Sequence, residues 1–546
     1  MDILKWNNPD LYFLIGISII NSVLLCFLSY KFLQIVQLSG YKLDRYIRWI
    51  KDTKAKWISR ISMLSFLSLA CMLATNFLFN AFLKDNQMLG YLGFVFYLAF
   101  AITFVNSMLK IPQKTPLKLT KRMFRLYVVV FLIYLIINMG LLLVSLEYTM
   151  YLRVAVISLI PILIPLIVPL ATILVYPFEF LVQYGYKRAC KKKLKKFPNL
   201  IKIGITGSYG KTSTKFYLES FLKTKYKVCC SPSSFNTPMG TSKVILNYLK
   251  QDDEVLIVEM GAVKNGEIKE LCDLVKPNAG IITSVGEQHL DTFKTLDNIL
   301  DTKFELAESL KDNDFCVFNC ANENTAKLFD RCNLKNKISV CGDSSSILQA
   351  KDIVATSNGL EFVIVYKNKE YTVQTEVLGE HNIQNILCAA ALALKLGLTI
   401  KQVVQVIAKL KPTEHRLELK KLDNDVLIID DSFNSNIQGT AVALKTLKLF
   451  DGRRKIVVTP GLVELGNKEK TENIELGKRI AKVADIVILV NQNQSTNIKT
   501  GLIDAGFDEN NIFLQESLFE VTKQFKTLLK SGDVVLLEND LPDNYR

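Results

Sequence analysis

The sequence has little histidine and lacks the C-x-x-C pairs that are typical of zinc and redox sites. Only three of its 546 residues are histidine, and none of its eleven cysteines belongs to a C-x-x-C pair. Four cysteines lie near one another along the chain, but their irregular spacing does not match a zinc ribbon: Cys316, Cys320, Cys332 and Cys341. An odd number of thiols, most of them in apolar runs, is typical of reduced cysteines in a cytosolic compartment.

Acidic residues are scarce in the first third of the chain. Residues 1–197 contain 24 Lys and Arg but only 7 Asp and Glu, which accounts for the whole net charge of +15. The basic residues lie between apolar runs and not on a folded domain, so they indicate a lipid bilayer as partner and no nucleic acid. A cleavable signal peptide is not evident, because the first apolar run has no basic segment before it and no small-residue cleavage site after it.

Five apolar runs are long enough to cross a bilayer, at about 11–30, 61–83, 89–109, 126–146 and 153–176. Lys and Arg concentrate in the loops after the first, third and fifth runs. The positive-inside rule then predicts a multi-pass cell-membrane protein with its N-terminus outside and the rest of the chain in the cytoplasm. The runs lack Asp, Glu and His except at loop edges, which argues against a proton-coupled transporter.

We therefore predict a membrane domain over 1–177 and a basic interfacial linker over 178–198. The fifth run contains three prolines spaced four residues apart, Pro161, Pro165 and Pro169. This spacing predicts repeated kinks along one face of the helix, for helix packing or to line a substrate path.

A glycine-rich turn opens the second half of the chain, with the sequence Thr206-Gly207-Ser208-Tyr209-Gly210-Lys211-Thr212-Ser213. Such a turn between a strand and a helix lets backbone N–H groups surround phosphate oxygens. Lys211 would reach the β- and γ-phosphates of ATP, and Thr212 would bind Mg²⁺. The general Walker pattern requires a glycine where this chain has Ile205, so the turn is the narrower T-G-x-x-G-K-T/S variant.

Short Val- and Ile-rich runs alternate with helical patterns from about residue 199. Strands are predicted near 200–205, 254–259 and 279–284, which indicates an α/β domain with a mainly parallel sheet over 199–412. After Pro412, strands near 426–429, 455–458, 486–489 and 533–537 indicate a second α/β domain over 413–546.

Several polar residues end these strands or open these helices. Glu259 ends an apolar strand, where an acid beside a phosphate loop commonly holds Mg²⁺, although a solvated strand end has the same pattern. His289 follows another strand, and Lys303 by itself is typical of a surface lysine. Asn382 and Asn385 lie at the start of an Ala-rich helix. They would either cap that helix or hydrogen-bond a nucleotide base.

Taken together, these residues resemble the Mur ligase family of ATP-dependent amide-forming enzymes over about residues 199–537. The motifs are T-G-x-x-G-K-T, N-T-P-x-G, E-M-G-A, G-x-x-H-L, G-x-H-N-x-x-N, H-R-L-E, D-D-S-F-N-S-N and E-L-G, in family order. The forms of the last two are similar to those of members that add D-Ala-D-Ala to a UDP-muramoyl peptide. The resemblance implies a central P-loop ATPase domain and a Rossmann-like C-terminal domain.

The resemblance also implies a mechanism. ATP phosphorylates a substrate carboxylate, and an amine attacks the acyl phosphate to give an amide. Gly207, Ser208, Gly210, Lys211 and Ser213 would surround the phosphates. The implied magnesium ligands are Thr212 and Glu259 for one ion and His289 for a second, and Lys303 matches a lysine that is carbamylated in many members.

The remaining implied roles lie further along the chain. Asn382 and Asn385 would contact adenine. Arg416 and Asp431 would reach the nucleotide when the C-terminal domain closes and excludes water from the acyl phosphate. The candidate substrate contacts are the polar or acidic residues Asn236, Thr237, Asn434, Asn436, Glu538 and Asp540.

Two departures from the family pattern change the expected substrate. Five apolar runs stand in place of the UDP-sugar-binding domain, which favours a lipid-linked or membrane-delivered carboxylate. Near the C-terminus, Glu538 and Leu541 replace the Lys and Arg of the D-Ala-D-Ala-adding members. That change predicts an amine that is cationic or less anionic than D-Ala-D-Ala.

Two alternatives remain open. A poly-γ-glutamate-type synthase would use the same chemistry to elongate a polymer. A non-catalytic membrane scaffold would merely keep the nucleotide-binding fold. Cell-envelope synthesis partners are expected for the chain in general.

Overall fold

The computed structural model describes residues 9–53, 56–79, 86–110, 115–144, 150–341, 346–433, 436–463, 465–490 and 492–539. The chain divides into two compact units between Val182 and Gln183. The first unit has a core of its own, built from apolar residues between Ile17 and Val175.

The first unit is helical. Its helices are α1 (Pro9–Leu28), α2 (Tyr30–Leu38), α3 (Leu43–Asp52), α4 (Lys56–Phe79), α5 (Asn86–Leu109), α6 (Lys121–Val144) and α7 (Met150–Leu159), and a 3₁₀ turn (Ile160–Leu163) leads into α8 (Ile164–Leu194). Among the described residues, four helical stretches are long and apolar enough to cross a membrane: Lys56–Ala74, Leu92–Leu109, Lys121–Leu141 and Val154–Leu194. These stretches overlap the second to fifth predicted runs.

A fifth crossing is possible where the sequence predicts the first run. There, Ile15–Leu28 and Tyr30–Leu38 form a pair of helices bent by 46°. The pair passes the same test of length and composition only when it is taken as one span.

Helix α8 is continuous across residues 177 and 178, where the sequence places the start of the basic interfacial linker helix. Pro169 and Pro177 lie inside this helix, and Pro161 lies in the 3₁₀ turn that interrupts the helical path. Apolar side chains stay exposed beyond residue 177, among them Phe180 and Leu181. The apolar surface therefore extends further along the chain than the predicted span.

A polar network joins three helices inside this unit. The Asn21 amide on α1 donates to Asn138 Oδ1 on α6 at 2.7 Å, and the Tyr97 hydroxyl on α5 donates to Asn21 Oδ1 at 2.9 Å. The Asn138 amide in turn donates to Ser22 Oγ at 3.0 Å. Because all four side chains are buried and mutually satisfied, the network fixes how α1, α5 and α6 face one another.

The second unit begins with a six-stranded sheet whose strand pairs are all parallel, as predicted. In spatial order its strands are β2 (Val228–Cys230), β3 (Val255–Glu259), β1 (Ile201–Thr206), β4 (Ala279–Ile282), β5 (Phe315–Asn319) and β6 (Lys337–Val340). Apolar residues cover both of its faces, which explains why these strands read as nearly continuous Val/Ile runs. Since β1 lies between β3 and β4, the loops after these three strands meet at one edge.

Helices surround this sheet: α9 (Lys211–Leu222), α10 (Pro238–Tyr248), α11 (Glu267–Val275), α12 (Leu290–Phe293), α13 (Leu296–Glu308), α14 (Glu323–Arg331), α15 (His381–Lys395) and α16 (Ile400–Ile407). Between β6 and α15 the chain forms an antiparallel sheet that the sequence analysis did not predict. Its strands are β7 (Gln349–Thr356), β8 (Gly359–Tyr366) and β9 (Lys369–Thr375).

The last domain is a second six-stranded sheet, with the order β10 (Glu418–Lys421), β11 (Leu427–Asp431), β15 (Val534–Glu538), β12 (Lys455–Thr459), β13 (Ile486–Val490) and β14 (Ile512–Gln515). Only β10 pairs in the antiparallel direction. The helices are α17 (Ile437–Lys448), α18 (Glu469–Ala481), α19 (Gln492–Asp504) and α20 (Leu518–Leu528). The four strands predicted for this domain are confirmed within two residues at each end.

Candidate active site

The glycine-rich turn connects β1 to α9 in the predicted way. Gly207 and Gly210 have φ angles of 146° and 81°, a region that favours glycine. A Cβ atom would lie 2.0 Å from Thr283 Oγ1 at Gly207 and 2.2 Å from Asn385 Oδ1 at Gly210, so neither position tolerates a side chain. Glycine at these two positions therefore lets the backbone of the turn lie directly against the side chains of Thr283 and Asn385.

Lys211 is the first residue of α9, and its side chain folds back over the turn. Its Nζ donates to the carbonyl oxygens of Gly207 at 2.8 Å and Ser208 at 2.9 Å. Burial lowers the pKa of Lys211 to about 8; Glu259 opposes this shift and Arg416 adds to it. The first-turn N–H groups of α9, up to Ser213, have no carbonyl partner within the helix and suit an anion.

Ser208 and Tyr209 attach the turn to the loop that follows β4. Ser208 Oγ donates to the Gly286 carbonyl at 2.9 Å, and the Tyr209 hydroxyl donates to the Glu287 carbonyl at 2.8 Å. Both backbone N–H groups donate to the Ser284 carbonyl, at 2.9 and 3.1 Å. Ser208, a predicted phosphate contact, thus uses its N–H and hydroxyl to hold the loop.

Thr212 and Glu259 meet as a magnesium site requires. Thr212 Oγ1 donates to Glu259 Oε2 at 3.1 Å, and the Asn236 amide donates to Glu259 Oε1 at 3.4 Å. Glu259 is 1% exposed at the end of β3. A hydroxyl and a carboxylate oxygen are the hard ligands that Mg²⁺ prefers, so this pair fits the predicted ion.

Lys215, which lies one helical turn after Lys211, is not among the site residues predicted from the sequence. Its side chain is completely buried, and its Nζ is 3.8 Å from Glu259 Oε2. A lysine in a helix ordinarily lies on the surface. The sequence does contain one signal for this lysine. Lys215 follows Lys211 by four residues, which places both side chains on the same face of α9.

Lys303 lies on α13, and His289 is the N-cap residue of α12. Lys303 is 3% exposed, and burial and the nearby charge of Lys211 lower its pKa to about 7, although Glu267 and Glu305 oppose the shift. Lys303 is therefore not the surface lysine that its local sequence suggested. His289 is half-buried, with φ of 55°, on the loop held by Ser208.

Helix α15 packs against α9 and brings its first turn to the glycine-rich turn. The Asn385 amide donates to Asn382 Oδ1 at 3.1 Å, and the Asn382 amide donates to the Leu378 carbonyl at 2.8 Å. Nδ1 of His381 is buried and has no hydrogen-bond partner in the described part of the chain. Burial and the charge of Arg416 lower the pKa of His381 to about 4, so the ring is neutral.

The C-terminal domain contributes Arg416 to this site. Its guanidinium packs over the Phe433 ring at 4.8 Å. Burial lowers the pKa of Arg416, while Asp431 and Glu259 act in the opposite direction. Burial raises the pKa of Asp431 to about 6, and Arg416 and the Leu417 N–H oppose that shift. The guanidinium thus lies between acids of both domains.

Glu538, a predicted substrate contact, is paired in register with Asp431 across β11 and β15. It is 1% exposed, and its Oε1 accepts a hydrogen bond from Thr440 at 2.9 Å. Like Asp431 and Glu259, Glu538 opposes the lowering of the Arg416 pKa. These two acids make the carboxyl edge of the sheet negative near the guanidinium.

The other predicted substrate contacts have local structural roles or fall outside the described residues. Thr237 caps α10 by accepting from Gly240 N at 3.2 Å, and Asn436 caps α17 by accepting from two backbone N–H groups. Asn434 and Asp540 lie outside the residues that the structure describes, as does the glutamate of the E-L-G motif.

A second cluster of possible metal ligands lies nearby, formed by His415, Glu418 and Asp430. Lys420 Nζ is 2.6 Å from Asp430 and 3.0 Å from Glu418, so a lysine already provides the positive charge. Burial alone would raise the pKa of Asp430, but hydrogen bonds from Lys420, Ser432 and His415 outweigh it and lower the pKa. This cluster is a satisfied ion-pair network.

These features define a class: an α/β protein with a P-loop-type turn, near which a second α/β domain places an arginine. Comparison with known proteins identifies the family. Residues 205–393 match the Mur ligase middle domain, and residues 415–538 match the Mur ligase glutamate ligase domain. Together the two matches cover more than half of the chain, which therefore belongs to the Mur ligase family, as its motifs predicted.

Two curated relatives carry the same enzyme name. The chain is 30% identical over 280 residues to UDP-N-acetylmuramoyl-tripeptide–D-alanyl-D-alanine ligase of Bacillus subtilis, covering 51% of this chain and 60% of that one. It is also 30% identical over 295 residues to the enzyme of the same name from Mycobacterium tuberculosis, covering 53% and 57%. The chain thus spans less than two thirds of these relatives.

Solved structures agree with the sequence comparison. The structure of MurF ligase from Thermotoga maritima in complex with ADP is 27% identical, with a TM-score of 0.57, over 66% of this chain and 80% of that one. MurF from Acinetobacter baumannii, 22% identical with a TM-score of 0.58, shares the fold.

Proposed function

We propose that this chain is an ATP-dependent ligase that joins a carboxylate to an amine through an acyl phosphate, in the synthesis of a cell-envelope component. The observation that carries the proposal is that Lys211, the Thr212–Glu259 pair, Lys303 and Arg416 converge on one glycine-rich turn. A scaffold that had merely kept the fold would have no use for four such groups around one edge. A relative solved in complex with ADP supports a nucleotide as the ligand of this chain.

In this proposal the turn and the first turn of α9 bind the ATP phosphates. Lys211 Nζ moves from the carbonyls of Gly207 and Ser208 to the β- and γ-phosphates. Thr212 and Glu259 would hold Mg²⁺, which when bound would supply positive charge beside the phosphates. Arg416 adds a second positive charge from the C-terminal domain. The substrate carboxylate then attacks the γ-phosphorus, and ADP leaves.

Lys303 is the proposed carbamate. An amine must be unprotonated to add CO₂, and the pKa of about 7 leaves a large fraction of Lys303 neutral at physiological pH. The product is an anion, which a buried site next to Lys211 and a metal ion would favour. With His289 it would hold a second Mg²⁺.

The carboxyl donor is proposed to be lipid-linked or delivered at the membrane. The support is the helical region before residue 182, where four or five stretches are apolar enough to span a bilayer. In this arrangement the cytoplasmic domains act on a donor held at the membrane surface, with the N-terminus outside.

The amine is proposed to be cationic, or less anionic than D-Ala-D-Ala. Glu538 and Asp431 together make the neighbourhood of Arg416 acidic, and an incoming carboxylate would be repelled by them. The D-Ala-D-Ala ligases among the relatives are the reference enzymes against which the choice of amine is compared.

The experiment uses the purified full chain in lipid nanodiscs. ATP, a polyprenyl-linked muramoyl peptide and a panel of amines are supplied, and ADP and the ligated product are measured by mass spectrometry. We expect an amide product with lysine-like amines and little with D-Ala-D-Ala. Equal turnover of the soluble UDP-linked peptide would contradict the lipid-linked donor, and efficient use of D-Ala-D-Ala would contradict the amine assignment.

The same assay separates the alternatives. Repeated addition of one amino acid would identify a polymer synthase of the poly-γ-glutamate type. If the protein is a scaffold, no ADP is released with any donor, and a Lys211→Ala variant keeps full cellular function.

A further inference from the structure

Lys215 is a buried charge that the proposed reaction does not use. Its Nζ donates to three oxygen atoms: the Ser231 carbonyl at 3.2 Å, the Ser231 hydroxyl at 3.1 Å and the Ser233 carbonyl at 2.8 Å. Three oxygen acceptors and a nearby carboxylate are the surroundings of a protonated ammonium group. The side chain is fully buried, so water does not screen this charge.

The same ammonium faces the proposed magnesium ligand. It lies 3.8 Å from Glu259 Oε2, the oxygen that also accepts from Thr212 at 3.1 Å. A divalent ion bound between Thr212 and Glu259 would therefore share one carboxylate oxygen with a lysine. The three hydrogen bonds to Ser231 and Ser233 hold the lysine in place, so its charge remains when an ion enters.

We propose that Lys215 is a positioning residue that acts as the resident counter-cation of the metal site. It balances the buried carboxylate of Glu259 when no metal is bound, and its fixed charge weakens divalent-metal binding in the absence of nucleotide. The phosphates of the nucleotide offset that repulsion. Metal and nucleotide consequently bind together, each raising the affinity for the other.

The inference rests on the nucleotide and magnesium site proposed above. It goes further because it assigns the coupling between the two ligands to one side chain. The two proposals fail in different ways. A protein that binds no ADP would contradict the proposed function, whereas the role of Lys215 is tested only in a protein that does bind ADP.

The test is a titration of the full-length protein with Mn²⁺, followed by electron paramagnetic resonance, with and without ADP. Binding that is lost in Glu259→Gln defines the site. In the wild type we expect ADP to raise the Mn²⁺ affinity by about tenfold or more. In Lys215→Met we expect tighter Mn²⁺ binding without ADP and a clearly smaller effect of ADP.

Lys223→Met is the matched control, because Lys223 is an exposed lysine of the same helix region whose partner is Glu219. Its titrations should equal those of the wild type. Lys215→Gln, which removes the charge but keeps a hydrogen-bond donor, should behave like Lys215→Met and serves where the methionine variant does not fold.

Two results would overturn the inference. One is a wild type whose Mn²⁺ affinity at the Glu259 site is the same with and without ADP, a measurement that needs no variant. The other is a folded Lys215 variant in which Mn²⁺ binding without ADP is unchanged or weaker, which would reduce Lys215 to a purely structural contact of Ser231 and Ser233.

Discussion

Replacing Lys303 by methionine should stabilise the protein while abolishing ligation. Lys303 is buried, and its pKa falls from 10.5 to about 7. Between these two values the unfolded chain holds a proton that the folded chain has lost, so stability rises with pH across that window. At 1.36 kcal/mol for each pKa unit, the cost of burying this amine is about 4 kcal/mol at pH 7.

Methionine has a similar length and no charge, so Lys303→Met removes that cost. For domains of this size we expect an apparent melting temperature higher by on the order of 10 °C at pH 6.5. The advantage should shrink steadily towards pH 9.5, where the wild-type amine costs less. The assay is differential scanning fluorimetry of the full chain in CO₂-free buffer, at four pH values.

Bicarbonate provides an internal check. Carbamylation replaces the buried cation with an anion that a metal can neutralise, so bicarbonate with Mg²⁺ should raise the melting temperature of the wild type but not that of Lys303→Met. Lys311→Met, which changes an exposed lysine beyond the end of α13, should show neither effect. A Lys303→Met variant that is less stable at pH 6.5, or whose advantage is the same at all pH values, would show that Lys303 is not a buried amine with a lowered pKa.

Three further predictions concern the site. Lys211→Ala should weaken ADP binding by at least about tenfold in calorimetry, because a charge-assisted contact to phosphate is lost; unchanged binding would exclude the proposed phosphate site. Ligation should decline as pH falls through about 6, where Asp431 becomes protonated, and Arg416→Gln should move this midpoint to higher pH, because Arg416 lowers that pKa; a fixed midpoint in pH–rate profiles would contradict the pairing. Lys468 contacts Glu287 at 2.7 Å across the two domains, so either charge reversal should lower kcat/KM by about two- to fivefold and the double swap should restore it; a cycle without recovery would show that the pair is uncoupled.

Much of the second unit could be predicted from the sequence because its signals are local. Buried parallel strands read as short Val/Ile runs, and the two glycines of the turn occupy conformations that exclude side chains. The small sheet β7–β9 was missed because its two outer strands, β7 and β9, carry mixed polar residues on exposed faces, without continuous apolar runs.

The site was harder to predict where burial decides the chemistry. Lys303 and Lys215 have the local sequence of surface lysines, and only the packing of α13 and α9 makes them buried charges. Thr237 and Asn436 show the opposite problem. A polar residue before a helix has the same pattern whether it caps the helix or binds a substrate, and the structure gives both of them capping hydrogen bonds.

In the helical region, composition predicted where the apolar stretches lie but not where the helices bend or end. The bend between α1 and α2 contains no proline from which it could be predicted. Helix α8 runs through Pro177, at which the sequence placed a boundary, because one proline inside a helix removes a single hydrogen bond and need not end it.

The acyl phosphate is the central intermediate of the proposed reaction, and an isotope experiment can detect its formation. A donor labelled with ¹⁸O in its carboxylate is incubated with ATP, an amine and the full chain in nanodiscs, and the released phosphate is analysed by mass spectrometry. Because the carboxylate oxygen attacks phosphorus and leaves with it, one ¹⁸O atom should appear in phosphate for each amide formed. Amide formation with unlabelled phosphate, or with AMP in place of ADP, would contradict the mechanism.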